Sequence, residues 1–501
     1  MDIEKTCSKF IKKLKKDDYI LIGLVFLFGF LNYFYFMTNN ALSADGMFNG
    51  PIYFAGGWEV DLGRPLLVLI DKLKFGIVNV PIIIFFSLLY MSATVLIIKR
   101  IFKIKKLFPM ILITLILVLF PVFAESATCI YCFDSYMFSM LLATLALYFI
   151  DKKKFMPAVI FIVASLAIYQ AYISVTIVGI VMLFILDVLN NKGDFKRLFI
   201  NLFFVFIGLL SYFLILKGTF LVFHRSFADY KGASSFGFIS LIQALPSSIL
   251  NCYQDFFYYF VTNKVIYNTY YYRHIINTII IFIFLFSLIK PFLNLNLKNK
   301  IYLILSFAVL PICVNIMDII ASSTTITLMT GVGYLFIYIL IIIIIYNFLS
   351  INLLKSVSFV LLCVLSYTFL LSNNSTFMAR NEVYNNFYYE CNQLINKIKN
   401  IDGYDESYQI MINDVFRYNS DFVPLSNGFL ALQYETFENH VGLGGYSNFY
   451  KRYFGENITM VDKNKYLEIV EKDAYKDMEI GDIKIIDNVI VAKISDNIIY
   501  E

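Results

Sequence analysis

Residues 19–37 read YILIGLVFLFGFLNYFYFM, nineteen positions without a formal charge. As an α-helix this stretch is about 28 Å long, close to the ~30 Å apolar thickness of a bilayer. Similar runs recur as far as Leu371. Their approximate limits are 19–37, 77–98, 107–123, 134–150, 156–170, 172–189, 198–218, 274–290, 301–320, 331–349 and 356–372, about eleven spans at ~20 residues each. Composition agrees: the 501 residues are 59% hydrophobic and 15% charged, where a soluble domain is roughly half apolar and a quarter charged. The expected fold is an all-α polytopic membrane protein.

Charge placement orients it. Lys5–Lys16, Lys99–Lys106, Lys152–Lys154, Lys192–Arg197, Lys290–Lys300 and Lys355 hold twenty-one cations, against eight in the alternate polar segments before Leu371. The positive-inside rule puts the first set in the cytoplasm, and with it the N-terminus. Lys12-Lys13-Leu14-Lys15-Lys16 precedes a run too long for a signal-peptide core and without a small-residue cleavage site, so the first span is expected to stay. Residues 156–189 are long for one helix and short for two. Basic flanks on both sides call for two crossings, with Tyr169-Gln170 at the turn; one long tilted helix is the competing reading.

Three segments fall on the outer side in this topology: a loop at 38–76, an aromatic-rich loop at 219–273 containing YQDFFYYF and YNTYYYRH, and the region from Asn373 onward. The division expected is a transmembrane domain, 1–372, and a small extracytoplasmic α/β domain, 373–501. In the latter, Asn381–Ile401 reads as helix, Tyr408–Ile412 and Ile483–Ile494 as strands, and Asp487-Asn488 as a turn.

The loop after the first span, ALSADGMFNGPIYFAGGWEVDLGRPL from Ala41 to Leu66, concentrates polar groups that hydrocarbon does not tolerate outside a wet cavity or the headgroup layer. Asp45, partly withdrawn from water, would serve as general base toward a sugar hydroxyl; the alternative is an ordinary Asx turn at Ser43–Gly46. Gly63 and Pro65 would fix Arg64 for bidentate contact with a phosphate, or Arg64 snorkels to headgroups. Trp58 stacks on a sugar ring or anchors the loop at the interface. Asp134 opens the fourth span, either facing the cavity with Glu125 or simply favouring the helix start. Tyr169 and Gln170 offer neutral groups to sugar hydroxyls. Arg225 and Arg273, beside His224 and His274, would hold a lipid-linked phosphate or meet headgroups. Asp318 and Asn315 stand a turn apart near the outer end of the ninth span. Cys129 and Cys132 form a lone CxxC without zinc-site partners, read as two unrelated thiols or a strained disulfide. Walker, Rossmann and HExxH motifs are absent, and nothing points to nucleic acid or to an oligomeric state.

The order Asp45, Gly50, Gly57-Trp58 and Gly63-Arg64-Pro65-Leu66, with Phe133-Asp134-Ser135-Tyr136 and Tyr169-Gln170 later, resembles the bacterial polytopic glucosyltransferases that add glucosyl branches to O-antigen, within the C-type glycosyltransferases. The resemblance covers about the first 200 residues. It implies the bacterial cytoplasmic (inner) membrane, a glucosyl donor on polyprenyl phosphate, a surface-polysaccharide acceptor and an acid in the first outer loop as base. Relatives carry paired acids there, whereas Gly46 follows Asp45, so either Glu59 or Asp61 would supply the second carboxylate or a single acid suffices. A divalent cation would assist the leaving phosphate, but no ligand set for one is recognisable. The expected function is an inverting, integral-membrane glycosyltransferase. The alternatives are a polysaccharide transporter or flippase, which would call for discontinuous helices or repeat symmetry, and a non-catalytic membrane protein of glycan assembly.

Overall fold

A computed structural model describes residues 14–39, 41–42, 45–46, 49, 52–228, 238–262, 272–320, 328–413, 446–447 and 449–496. Lys5–Lys13, Gly50 of the loop motif and residues 267–271 of the aromatic run lie outside the described residues.

Among the described residues nine helices, two of them joined to a short neighbour, are long and apolar enough to cross a membrane, and two shorter apolar helices accompany them. In chain order the helices are α1 (Lys16–Thr38), α2 (Gly57–Asp61), α3 (Pro65–Leu73), α4 (Val80–Ile101), α5 (Leu107–Leu119), α6 (Pro121–Thr128), α7 (Ile130–Asp151), α8 (Phe155–Leu166), α9 (Ile173–Leu189), α10 (Phe195–Phe223), α11 (Phe238–Val261), α12 (Arg273–Leu293), α13 (Leu297–Val314), α14 (Ile316–Ile320), α15 (Gly333–Phe348) and α16 (Asn352–Lys399). Each of the eleven apolar runs is helical, the ninth broken at Asn315 between α13 and α14, and the protein is a polytopic all-α membrane protein. The third run breaks at Phe120, because Pro121 has no N–H to continue the ladder.

The basic segments gather at one end of the bundle. There Lys99 Nζ meets Asp18 Oδ1 at 2.6 Å, Arg197 reaches Asp151 at 3.3 Å and Asp187 at 3.1 Å, and Asn299 Nδ2 donates to Asn191 Oδ1 at 3.2 Å. Residues 156–189 form two helices, α8 and α9, joined through a 3₁₀ turn at Gln170–Tyr172. Both start or finish at the basic end, so the single tilted helix is excluded. In lipid the hydrophobic effect does not hold helix to helix, and polar contacts help to set the pairing. Ser139 Oγ donates to the Ser165 carbonyl at 2.9 Å and Ser165 Oγ to the Ser139 carbonyl at 3.0 Å, locking α7 to α8.

The expected aromatic loop contains a helix, α11, despite Pro246 within it. α16 passes residue 372 without a break and continues to Lys399, absorbing the separate helix expected at 381–401. Beyond it β1 (Gln409–Ile412), β2 (Ile483–Ile486) and β3 (Val489–Ala492) form a sheet in the order β1-β3-β2, parallel then antiparallel. Asp487 and Asn488 both have positive φ, as a two-residue hairpin turn requires. Side chains alternate across this sheet. Ile410, Ile412, Ile490 and Ala492 pack with Phe387 and Ile395 of α16. Met411, Val489 and Val491 pack on the other face with Tyr466 and Ile469 of α17 (Lys463–Val470) and Tyr475 of α18 (Asp473–Lys476).

Candidate active site

The loop between α1 and α4 organises itself through its own acids. Glu59, at the third position of α2, accepts from the Gly56 N–H at 2.6 Å and from the Tyr53 hydroxyl, so both its oxygens are engaged within the loop. Asp71, on the buried face of α3, accepts from the Ala55 N–H at 2.8 Å, and its burial raises its pKa above the ordinary carboxylate value. Pro65 starts α3, where its missing N–H costs nothing. Leu69, Leu73 and Phe75 are exposed; an amphipathic helix of this kind lies flat at a bilayer surface. Trp58 is half exposed beside it.

Arg64 is held from several sides. Gly63 has φ +79°, a left-handed turn that disfavours a side chain, and a Cβ there would meet the Tyr212 hydroxyl at 2.6 Å. Gln170 Nε2 donates to the Leu62 and Gly63 carbonyls at 2.9 and 3.1 Å, and Tyr212 donates to Gly63 at 2.6 Å. The Leu66 N–H bonds to the Ala167 carbonyl at 3.0 Å, just past the end of α8. The guanidinium then lies 4.8 Å from the Tyr169 ring centre, with Nη1 3.3 Å from the Tyr136 hydroxyl. Tyr136 and Tyr169 stack at 4.4 Å and 19°. Arg64 Nε is buried with no hydrogen-bond partner among the described residues.

The depth of this loop follows from α8. Its 12 residues rise only about 18 Å from the basic end, against an apolar layer of ~30 Å. α8 alone is thus shorter than a full span, and Leu66 is bonded just past its end.

Asp134 lies in the second turn of α7, which begins at Ile130, and so it is not a helix cap. It pairs instead with Lys74, whose Nζ is 2.8 Å from Asp134 Oδ1, 3.6 Å from Asp71 Oδ1 and 3.2 Å from the Tyr131 carbonyl. Asp45 itself stands in a short turn, its carbonyl accepting from the Asn49 N–H at 3.1 Å. The next residue, Gly46, packs so tightly that a Cβ would lie 2.4 Å from the Thr128 carbonyl oxygen at the end of α6.

Asp61 Oδ2 accepts from Arg225 at 3.1 Å and the Asp61 carbonyl from the Ala228 N–H at 3.1 Å, tying the second loop to the first. Arg273 belongs to a different cluster. It is 2% exposed, 5.1 Å from the Tyr259 ring centre and 4.9 Å from that of Phe369. Asp318, in α14, is 6% exposed, and no N–H or O–H bonds its oxygens among the described residues. Lys74 and Tyr212 were not read from the sequence as site residues, and Tyr136 entered only as part of the Phe133–Tyr136 motif. The signal for Lys74 was present: Asp71 and Lys74 are three apart on one face of a short amphipathic helix. Among the described residues no group of three or more His, Cys, Asp or Glu could hold a metal ion.

The arrangement joins an acid, a fixed guanidinium with an unused donor, stacked phenols and a lysine at one end of a membrane bundle. Such a set can bind an anionic headgroup and a sugar and accept a proton. Residues 34–340 of the chain match the family model described as Glucosyl transferase GtrII. Neither the curated proteins nor the solved structures contain a match.

Proposed function

The chain belongs to the GtrII glucosyl transferase family, and we propose that it moves glucose from a polyprenyl-phosphate donor to a surface polysaccharide at the outer face of the bacterial cytoplasmic membrane. The observation that carries this reading is the half-buried Arg64, its Nε buried and without a hydrogen-bond partner among the described residues, set against the stacked rings of Tyr136 and Tyr169. A phosphate oxygen would complete that donor, and the aromatic floor would seat a pyranose. The N-terminus and the basic end face the cytoplasm in this reading, and the sheet beyond α16 lies outside. No nucleotide sugar is available there, so a lipid-borne sugar is the practical donor.

The chemistry is one in-line displacement. The acceptor oxygen attacks the anomeric carbon and its proton passes to Asp45. The bond from that carbon to the phosphate oxygen breaks, and the electron pair leaves with polyprenyl phosphate. Arg64 stabilises the charge that develops, with Lys74 and Arg225 adding positive field. Displacement from the opposite face inverts the anomeric centre. Trp58 and Gln170 line the entry, while Glu59, Asp61 and Asp134 shape the loop that carries Arg64.

The test is transfer in proteoliposomes from polyprenyl-phosphate [¹⁴C]glucose to polysaccharide extracted from a host lacking the gene. Label entering the polysaccharide with inverted configuration is the expected result. Label only from nucleotide glucose, or none with a folded protein, overturns the reading.

A further inference from the structure

The match to the family ends within α15, yet the strongest polar contacts to the turn region come from α16. Arg380 Nη2 lies 3.1 Å from Glu125 Oε1 and 3.2 Å from Oε2, with both side chains about nine-tenths buried. Further contacts fix the same face of α16. Asn373 Nδ2 donates to Asn32 Oδ1 and to the Leu119 carbonyl, both at 2.9 Å. Asn381 Nδ2 donates to the Tyr35 hydroxyl at 3.2 Å. Phe377 packs 5.0 Å from Phe36 and 6.0 Å from Tyr33.

These contacts fall on the elements that flank the Asp45–Gly46 turn. Asn32, Tyr33, Tyr35 and Phe36 belong to the last turns of α1, just before the turn. Glu125 belongs to α6, whose terminal Thr128 carbonyl is the atom pressed against Gly46. Leu42, three residues before Asp45, packs against both the membrane core and the core formed by α16 with the sheet.

We propose that Arg380 is a positioning residue: its ion pair with Glu125 holds the end of α6 against the Asp45–Gly46 turn and so aims the carboxylate. The role rests on the reading of Asp45 as base given above. A buried guanidinium–carboxylate pair is directional and charge-assisted, and removing one partner leaves the other charge buried and uncompensated. The end of α6 would then move, and Gly46 has no slack against it.

The experiment compares the full chain in nanodiscs with Arg380→Ala, Arg380→Lys and the exchanged pair Glu125→Arg with Arg380→Glu. Hydrogen exchange at residues 41–49 is read beside glucosyl transfer. Arg380→Ala is expected to speed exchange there by about tenfold and to lower kcat by about tenfold or more, with the donor KM within about twofold. The exchanged pair is expected to restore at least about half of both effects, as reciprocal pairing requires. Unchanged exchange and kcat in Arg380→Ala overturn the proposal. If Arg380→Ala does not fold, an exchanged pair that folds without protection at 41–49 overturns it too. Faster exchange with undiminished transfer upholds the positioning and rejects Asp45 as base, which separates the two readings.

Discussion

Lys74 Nζ stands 2.8 Å from Asp134 Oδ1, joining the interfacial helix α3 to the membrane helix α7 across sixty residues of sequence. Asp71 shares the same ammonium at 3.6 Å. Lys74→Ala would leave two largely buried carboxylates without their cation. The expected loss is about 3 kcal/mol of stability, read as a lower Tm in detergent, with Lys74→Arg retaining most of it. An unchanged Tm for Lys74→Ala would remove this pair from the architecture of the loop.

Arg64→Lys keeps the charge and discards the planar fork over Tyr169. The expected effect is a rise in the donor KM of about tenfold, near 1.4 kcal/mol, with smaller change in protein level. Initial rates against polyprenyl-phosphate glucose decide it; an unaltered KM would free Arg64 from phosphate binding.

Asp45→Asn preserves shape and removes the proton acceptor. Transfer is expected to fall by at least about a hundredfold while membrane level and Tm hold. Retained transfer would assign the base elsewhere, with Asp318 the next acid to replace.

A reporter fused after Glu501 should behave as extracytoplasmic, as an odd number of crossings requires. A cytoplasmic signal would mean that one of α8 or α15, the two short apolar helices, does not cross.

Much of the fold was legible because lipid imposes a simple rule: a span must be apolar for its whole length. The ambiguous stretch at 156–189 forms two helices, as the basic residues on both its flanks had suggested. α11 was harder to read, because tyrosines, an internal Pro246 and an Asp make its pattern look like an interfacial loop. The continuity of α16 was hidden by a change of composition at residue 373, which marks where solvent or protein replaces lipid and not where a helix stops. The candidate site was legible in part. Arg64, Asp134, Tyr169 and Gln170 converge because one short loop and the ends of three helices meet. Arg273 lies apart in its own aromatic cluster, since a cation beside a histidine near an interface says nothing of which neighbours fold around it.

The 48 residues of α16 make a rod about 72 Å long, more than twice the ~30 Å apolar layer. A rod converts angle into distance: leaning by about 5° carries its far tip by about 6 Å at this length. Where the sheet hangs is thus set by the grip of α1, α5 and α6 on Asn373, Phe377, Arg380 and Asn381 midway along the rod, so a small shift of that clasp is magnified at the remote end of the protein.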